Sequence, residues 1–517
     1  MNDQENQNWD VIVIGSGIGG MAAATALARF KRKVLLLEQH YVLGGFTHTF
    51  SRKGFTWDVG VHCVGELGPG MQIRRVIDWL GAGKLQFEPF GKIYETFHFP
   101  NDETFQFPDS KADFITSLKA WFPDEHIAID RYFKTVSEAI RANVPYYPLR
   151  TLPESLIRIG ERLVDRAGVK WREKTTDEVL TEIGVSPRLK TILTAQWGYY
   201  GEPPSRSSFA LHASCIAHFL NGAWFPVGNA TKFGEVLKVE LESRGGKVLT
   251  RSHVTEILVE NGMAKGVVLK NGMKYFAKKV ISCTGAKTSL KMIPESANIS
   301  SRWRKEIESF KNTPAYFSLY LGFEGDVQKA GATRSSQWIY ETWDPEKVIW
   351  NLNEEEMPPV LFCSFPSLKD PHHDAGPAQR HTGELVTFAD WKDFEKWSHS
   401  RRGNRPTDYI QFKKTIEDRI FRLFEKKFPD LAKLVIYREL STPLSTVFFN
   451  AGATQGAIYG LEHTPRRFRS SALRTRTPLK NFYMGGCDIA SCGVAGGLMG
   501  GLLAAATLEP RVFGKLT

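Results

Sequence analysis

The 517-residue chain is predicted to fold as an α/β protein, with one lobe built on a parallel sheet from discontinuous segments and a second lobe of mixed α+β structure. Two observations predict it. A strand, glycine turn, helix and strand open the chain, and a second glycine-rich strand, turn and helix close it. Trp9-Asp-Val-Ile-Val-Ile14 is a short apolar run of the kind that makes a buried strand. It leads into Gly15-Ser-Gly17-Ile-Gly19-Gly20 and then into residues 21–28, almost all helix formers. Val34-Leu-Leu-Leu37 is the next strand and ends on Glu38. In that context the glycines form a Rossmann-type dinucleotide fingerprint. Gly15 permits the tight turn, Gly17 lets backbone approach a pyrophosphate, and Gly20 lets helix and strand pack closely. The helix N-terminus offers free N–H groups and a positive dipole end to phosphates. Glu38, at about the twenty-residue offset the fingerprint requires, is placed to bond a ribose 2′-hydroxyl and to repel a 2′-phosphate.

The pattern continues beyond one nucleotide. Gly44-Gly45 follows the ribose acid, where a long flavin nucleotide needs a second close backbone approach, and Phe55-Thr-Trp-Asp58-Val-Gly60-Val-His62 comes next. Near the other end stand Asn481-Phe-Tyr-Met-Gly485-Gly486-Cys-Asp488 and Gly493-Val-Ala-Gly496-Gly497-Leu-Met-Gly500-Gly501. These read as a strand, a turn carrying an acid, and a helix stripped of side-chain bulk, against which a flat ring or phosphate can lie. Between them, residues 233–243 read as a helix and 247–250, 254–260, 264–270 and 278–282 as strands. Asn261-Gly262 and Asn271-Gly272 are hairpin turns. The nucleotide lobe is therefore expected from residues 8–75, 226–290 and 470–517. The substrate lobe takes 76–225, mostly helical and aromatic-rich, and 291–469. The latter mixes strands at 315–323, 360–366 and 384–388 with a helix at 407–428.

With Pro226-Val-Gly228, these blocks resemble the FAD-dependent polyene oxidoreductases, the superfamily of phytoene desaturases, carotenoid isomerases and retinol saturases. Gly198-Tyr-Tyr-Gly-Glu-Pro-Pro204, Ser208-Phe-Ala-Leu-His212-Ala, Pro366-Ser-Leu-Lys-Asp-Pro371 and Gly456-Ala-Ile-Tyr-Gly460 are similar to the retinol saturase branch. The likeness is strongest at the two ends and weakest over 100–190. It implies FAD held by Gly15, Gly17, Gly19, Gly20, Glu38, Gly44, Gly45, Gly486, Asp488, Gly493 and Val494, with Val254 meeting the adenine through its backbone. Cys283-Thr-Gly285-Ala departs from the Asn-Ala usual in the family.

The resemblance implies chemistry on an apolar conjugated polyene, most directly saturation of a C=C bond by hydride from reduced flavin and a proton from the protein. Desaturation or cis–trans isomerisation on the same scaffold is the alternative, and a non-catalytic isoprenoid-lipid escort is a third. His62 is the first candidate proton donor, since imidazole ordinarily titrates near neutral pH. Tyr199, Tyr200 and His212 follow, as a polar cluster that orients the substrate's polar end, and Glu66 is a lesser candidate. The chain has one dinucleotide fingerprint, so electrons are expected from an external donor or acceptor, with NAD(P)H or a quinone as transient partner.

Composition narrows the setting. Hydrophobic content of 42 % and the lack of any apolar run of the length a span requires give no membrane-crossing segment. The polar N-terminus reads as neither signal nor transit peptide, so a cytoplasmic location is expected. Six cysteines show no zinc spacing, and His372, His373 and His381 sit in a loop-like stretch that is declined as a metal site. Part of the net charge of +11 is patterned: Arg158, Arg162, Arg166 and Lys170 recur every fourth residue beside apolar positions, a stripe suited to peripheral membrane contact. No nucleic-acid recognition motif is present.

Overall fold

The computed structural model describes residues 9–516 except 154–155, 158–159, 161–164, 348 and 451–453. Its first sheet has a parallel core ordered Phe482–Met484, Lys274–Ser282, Trp9–Ile14, Val34–Leu37 and Lys247–Leu249. The outer half of Lys274–Ser282 turns antiparallel to Met263–Leu269, which pairs in turn with Val254–Glu260. Asn261 and Gly262 both take positive φ, 50° and 69°, between the facing residues Glu260 and Met263. That is the geometry a two-residue hairpin with right-twisted strands selects.

The first two strands are buried on both faces, and period-two alternation divides their side chains. Val11, Val13 and Leu36 pack into one core with helices Ile18–Arg29 and Gly493–Leu508. Ile12, Ile14, Leu35 and Leu37 pack into another beneath the hairpin strands. The two helices meet almost backbone to backbone: a Cβ on Gly501 would stand 1.9 Å from the Gly19 carbonyl oxygen. The glycine stripe read from sequence is thus first a helix-packing device.

The second sheet runs Val435–Ser441, Ala315–Glu324, Arg380–Ala389, Val360–Ser364, Ser336–Tyr340, Ile93–His98 and Thr104–Pro108. Only Ser336–Tyr340 and Ile93–His98 pair in parallel. The last two strands come from the stretch expected to be mostly helical. Their alternating aromatic pattern, and a turn in which Asn101 and Asp102 both take positive φ, explain the hairpin. Helices His126–Asn143 and Phe209–Phe219 cover one part of this sheet and Thr407–Lys427 another.

Of the expected basic stripe, Arg166 and Lys170 lie on helix Arg166–Glu173, while Arg158 and Arg162 fall outside the described residues. Among the described residues no helix is long and apolar enough to cross a membrane.

Candidate active site

The three glycine-rich segments converge on one cradle. Gly15 takes φ +90°, and a Cβ there would lie 2.8 Å from Thr284 Cγ2. On Gly20 it would lie 1.8 Å from the Gly15 carbonyl oxygen, and on Gly19 2.6 Å from that of Gly497. These positions are glycine because backbone passes backbone. Gly17 and Gly493 differ: nothing stands within 4 Å of a Cβ on either, so both face open space. Gly44 bridges to Gly17, and Gly45 approaches Gly17 so closely that its Cβ would be 3.0 Å from the Gly17 Cα.

The two expected cofactor acids anchor this cradle. Glu38, 7 % exposed, accepts the Ser16 N–H and hydroxyl on one oxygen, each at 2.7 Å, and the His40 N–H on the other at 2.7 Å. A carboxylate with about four lone-pair sites keeps capacity for a further donor. Two residues before Val254, the Ser252 N–H donates to the Glu38 carbonyl at 2.7 Å, which brings the Val254 backbone beside the acid's strand. Asp488 accepts from the Ala286 N–H at 2.7 Å and the Leu461 N–H at 2.9 Å. It clamps the C-terminal turn to the Cys283-Thr-Gly285-Ala loop. Gly486 and Val494 flank this turn, Val494 half-buried on the first turn of helix Gly493–Leu508.

Beyond the cradle, several deep residues keep accessible surface, which implies an internal void beside them. They are His62, Cys63, Tyr199, Cys215, Tyr459 and Cys492. Behind this wall the second sheet carries a polar row. Glu95 faces Ser336 across strands, and Ser364 faces Glu384, one step from the Gln337–Cys363 pair that puts both serines in the same row. Over the row sits Lys369, fully buried. Its Nζ donates to Ser364 Oγ at 2.8 Å, Ser336 Oγ at 3.1 Å and the His62 carbonyl at 3.0 Å.

Burial dominates the electrostatics of this cluster. It pulls Lys369 down to about 8, with Cys63, Glu95, Glu384 and Asp58 resisting. It pushes Glu95 up to about 8 and raises Glu384 and Asp58 well above the carboxylate range. At neutral pH the cluster therefore holds its protons. Tyr199 donates its hydroxyl to one Glu95 oxygen and Trp338 its indole N–H to the other. The Cys63 thiol donates to the Tyr199 hydroxyl at 3.3 Å.

A model of flavin containing amine oxidoreductases matches residues 18–508. The chain belongs to that flavin-dependent family. It is 30 % identical over 528 residues to the all-trans-retinol 13,14-reductase of Danio rerio, a match covering 98 % of this chain and 86 % of that protein. To prolycopene isomerase 2 of an Oncidium hybrid cultivar it is 27 % identical, over 85 % of this chain and 73 % of that one. Among solved structures, putrescine oxidase superposes with a TM-score of 0.64 at 15 % identity, covering 98 % of this chain and 100 % of that one, a likeness of fold. The cradle fits a flavin nucleotide: Gly17 and Gly493 leave backbone open where phosphates and ring need it, and Glu38 stands at the ribose offset.

The remaining candidates separate in this flavin enzyme. His62 and Tyr199 come together at the void, His62 Nδ1 standing 2.8 Å from Glu384. That approach is not aligned as a hydrogen bond. Neutral-pH titration, the property for which His62 was singled out, is corrected. Burial, then the charge of Lys369, pull it to about 3, so its imidazole stays neutral. The expectation for Tyr200 and His212 is also corrected. His212 Nδ1 pairs with the Tyr200 hydroxyl at 3.2 Å and Nε2 with that of Tyr132 at 2.9 Å, all three buried. Both ring nitrogens are spent on protein partners, so the trio closes on itself rather than presenting a polar end to a ligand. Glu66 pairs with His218 at 2.9 Å. His381 bonds Ser367, and His373 meets the Arg380 carbonyl.

Lys369, Glu95, Glu384 and Asp58 were not singled out from sequence. The available signal was a charged residue inside an otherwise apolar strand, as in Ile93-Tyr-Glu-Thr-Phe97, which burial makes costly unless it serves a site.

Proposed function

We propose that the chain is an FAD-dependent oxidoreductase that acts on a conjugated polyene lipid, retinoid- or carotenoid-like, and saturates one of its C=C bonds. The observation that carries this reading is the proton-loaded Glu95–Lys369 cluster behind an aromatic- and cysteine-walled void at the mouth of the glycine cradle. The near-complete match to a retinol 13,14-reductase supports it. When bound, the flavin supplies hydride chemistry. The chain's own residues supply the proton. Tyr199, on the void wall, turns its hydroxyl hydrogen from Glu95 to the substrate carbon while the Glu95 carboxyl donates its own proton to the phenol oxygen, so no isolated phenolate forms. Lys369 sets the charge around Glu95 and holds the His62 carbonyl in place. Phe46, Ile458 and Tyr459 pack half-buried at the edge of the aromatic core and keep these surroundings apolar.

The reading includes a cytoplasmic, peripherally membrane-associated setting, where an apolar substrate is met. An aromatic–basic surface suits it: Phe448 is 54 % exposed, and the Arg402 guanidinium lies 5.2 Å from its ring and 4.8 Å from that of Phe449. An external donor, NAD(P)H or a reduced quinone, completes it. The isomerase relative supports cis–trans isomerisation as a second reading. Product mass from the flavin-reduced protein without oxygen tests the two: saturation adds two hydrogens and isomerisation none.

A further inference from the structure

A further buried cation lies behind the C-terminal glycine turn. Arg467, on the short helix Pro465–Arg469, is 3 % exposed. Its guanidinium donates to the carbonyls of Leu461 at 2.9 Å and Cys487 at 2.5 Å, and it forms no ion pair among the described residues. Asp488 is the neighbouring acid, yet both its oxygens are bonded to backbone N–H groups of Leu461 and Ala286. Arg206 and Arg466, not Arg467, take Glu462. A dry cation bonded only to carbonyls is costly unless an anion shares its surroundings.

The void shows where that anion belongs. Cys487, whose carbonyl Arg467 holds, borders deep accessible space, as do Cys492 and Tyr147, and all three feel the Arg467 charge. Cys492 caps the N-terminus of helix Gly493–Leu508, whose positive dipole end points into the same region. The Cys492 thiol reaches the Tyr199 carbonyl at 3.6 Å, so this wall joins the proton cluster through one residue.

We propose that Arg467 supplies the counter-charge for the reduced flavin, holding it as the anion. Two electrons and one proton added to oxidised flavin leave one negative charge, and a fixed cation beside the ring raises the reduction potential. Arg467 acts by its charge from behind the Cys487 turn, without touching the flavin. The inference rests on flavin occupying the cradle, which the visible spectrum of the wild-type protein establishes separately.

The test is the midpoint potential of the bound flavin, measured by equilibration with redox dyes in wild type, Arg467→Gln and Arg467→Lys. Removing the charge should disfavour reduction at least tenfold, about 30 mV for a two-electron couple, while the lysine variant stays near wild type. Equal potentials in wild type and Arg467→Gln, or a lysine variant shifted as far as the glutamine one, overturn the proposal. If Arg467→Gln does not fold, the wild type decides alone. Reduced by dithionite in mildly acidic buffer, where free reduced flavin is neutral, it should keep the anionic reduced spectrum; a neutral spectrum overturns the assignment.

Discussion

Tyr199 donates its hydroxyl to Glu95, a carboxyl with no solvent exposure whose other oxygen takes the indole N–H of Trp338. Burial pushes that carboxyl up to about 8, so at neutral pH the pair holds two protons, and its Tyr199 member borders the void. A polyene carbon that must accept a proton in a dry site needs such a store, because water is not there to supply it.

Replacing Tyr199 with Phe removes the donor and leaves the ring packing with Phe219 and Trp338 intact. The variant should retain flavin and lose turnover by about 10²–10⁴, the usual worth of a positioned acid. Unchanged turnover per bound flavin would remove Tyr199 from the proton path.

Glu95 has a raised pKa, so the folded state binds more protons than the unfolded one between the ordinary carboxylate value and about 8. Two consequences follow. Stability should fall as pH rises through that window, by at most about 1.4 kcal/mol per pH unit, and Glu95→Gln should flatten the slope in urea titrations at several pH values. The rate should also fall above pH about 8 as the proton is lost. Lys369 holds the Glu95 pKa down, so Lys369→Met should move that alkaline limb upward; a limb moving downward would contradict the coupling.

Glu38 accepts three donors from Ser16 and His40 before any ribose is considered. Glu38→Ala therefore leaves buried N–H groups unpaired, at about 1–3 kcal/mol each, and opens the ribose position. Flavin per chain after gel filtration should drop; full flavin content would refute the anchoring role.

Each piece of the glycine cradle was legible in the sequence because its signal is local: in the first, spacing, strand and helix formers and an acid at a set offset all lie within residues 9–38, and the C-terminal piece repeats a strand, glycine turn and helix. His62 and Tyr199 were legible as positions on motifs. The titration of His62 was not, since burial and the Lys369 charge come from residues some three hundred positions away. The Glu95–Ser336–Ser364–Glu384 row was hidden for the same reason, as it exists only in the register of four strands. Two strands at 93–108 were submerged in a stretch whose helices dominate its average pattern.

The Tyr132–His212–Tyr200 trio yields a contrasting forecast. In His212→Phe two buried hydroxyls lose a shared partner, so the melting temperature should fall, with about 1–3 kcal/mol lost per unpaired group. Turnover per bound flavin should hold in the folded fraction. A selective loss of turnover at unchanged stability would restore His212 to the chemistry.

The most direct measurement is product mass, taken with purified protein carrying chemically reduced flavin, without oxygen, against retinoids and carotenoids. The account predicts a product heavier by two hydrogens, with the added proton drawn from solvent and therefore labelled in deuterated water. A product of unchanged mass but altered retention, or full recovery of every polyene, would contradict saturation as the activity of this chain.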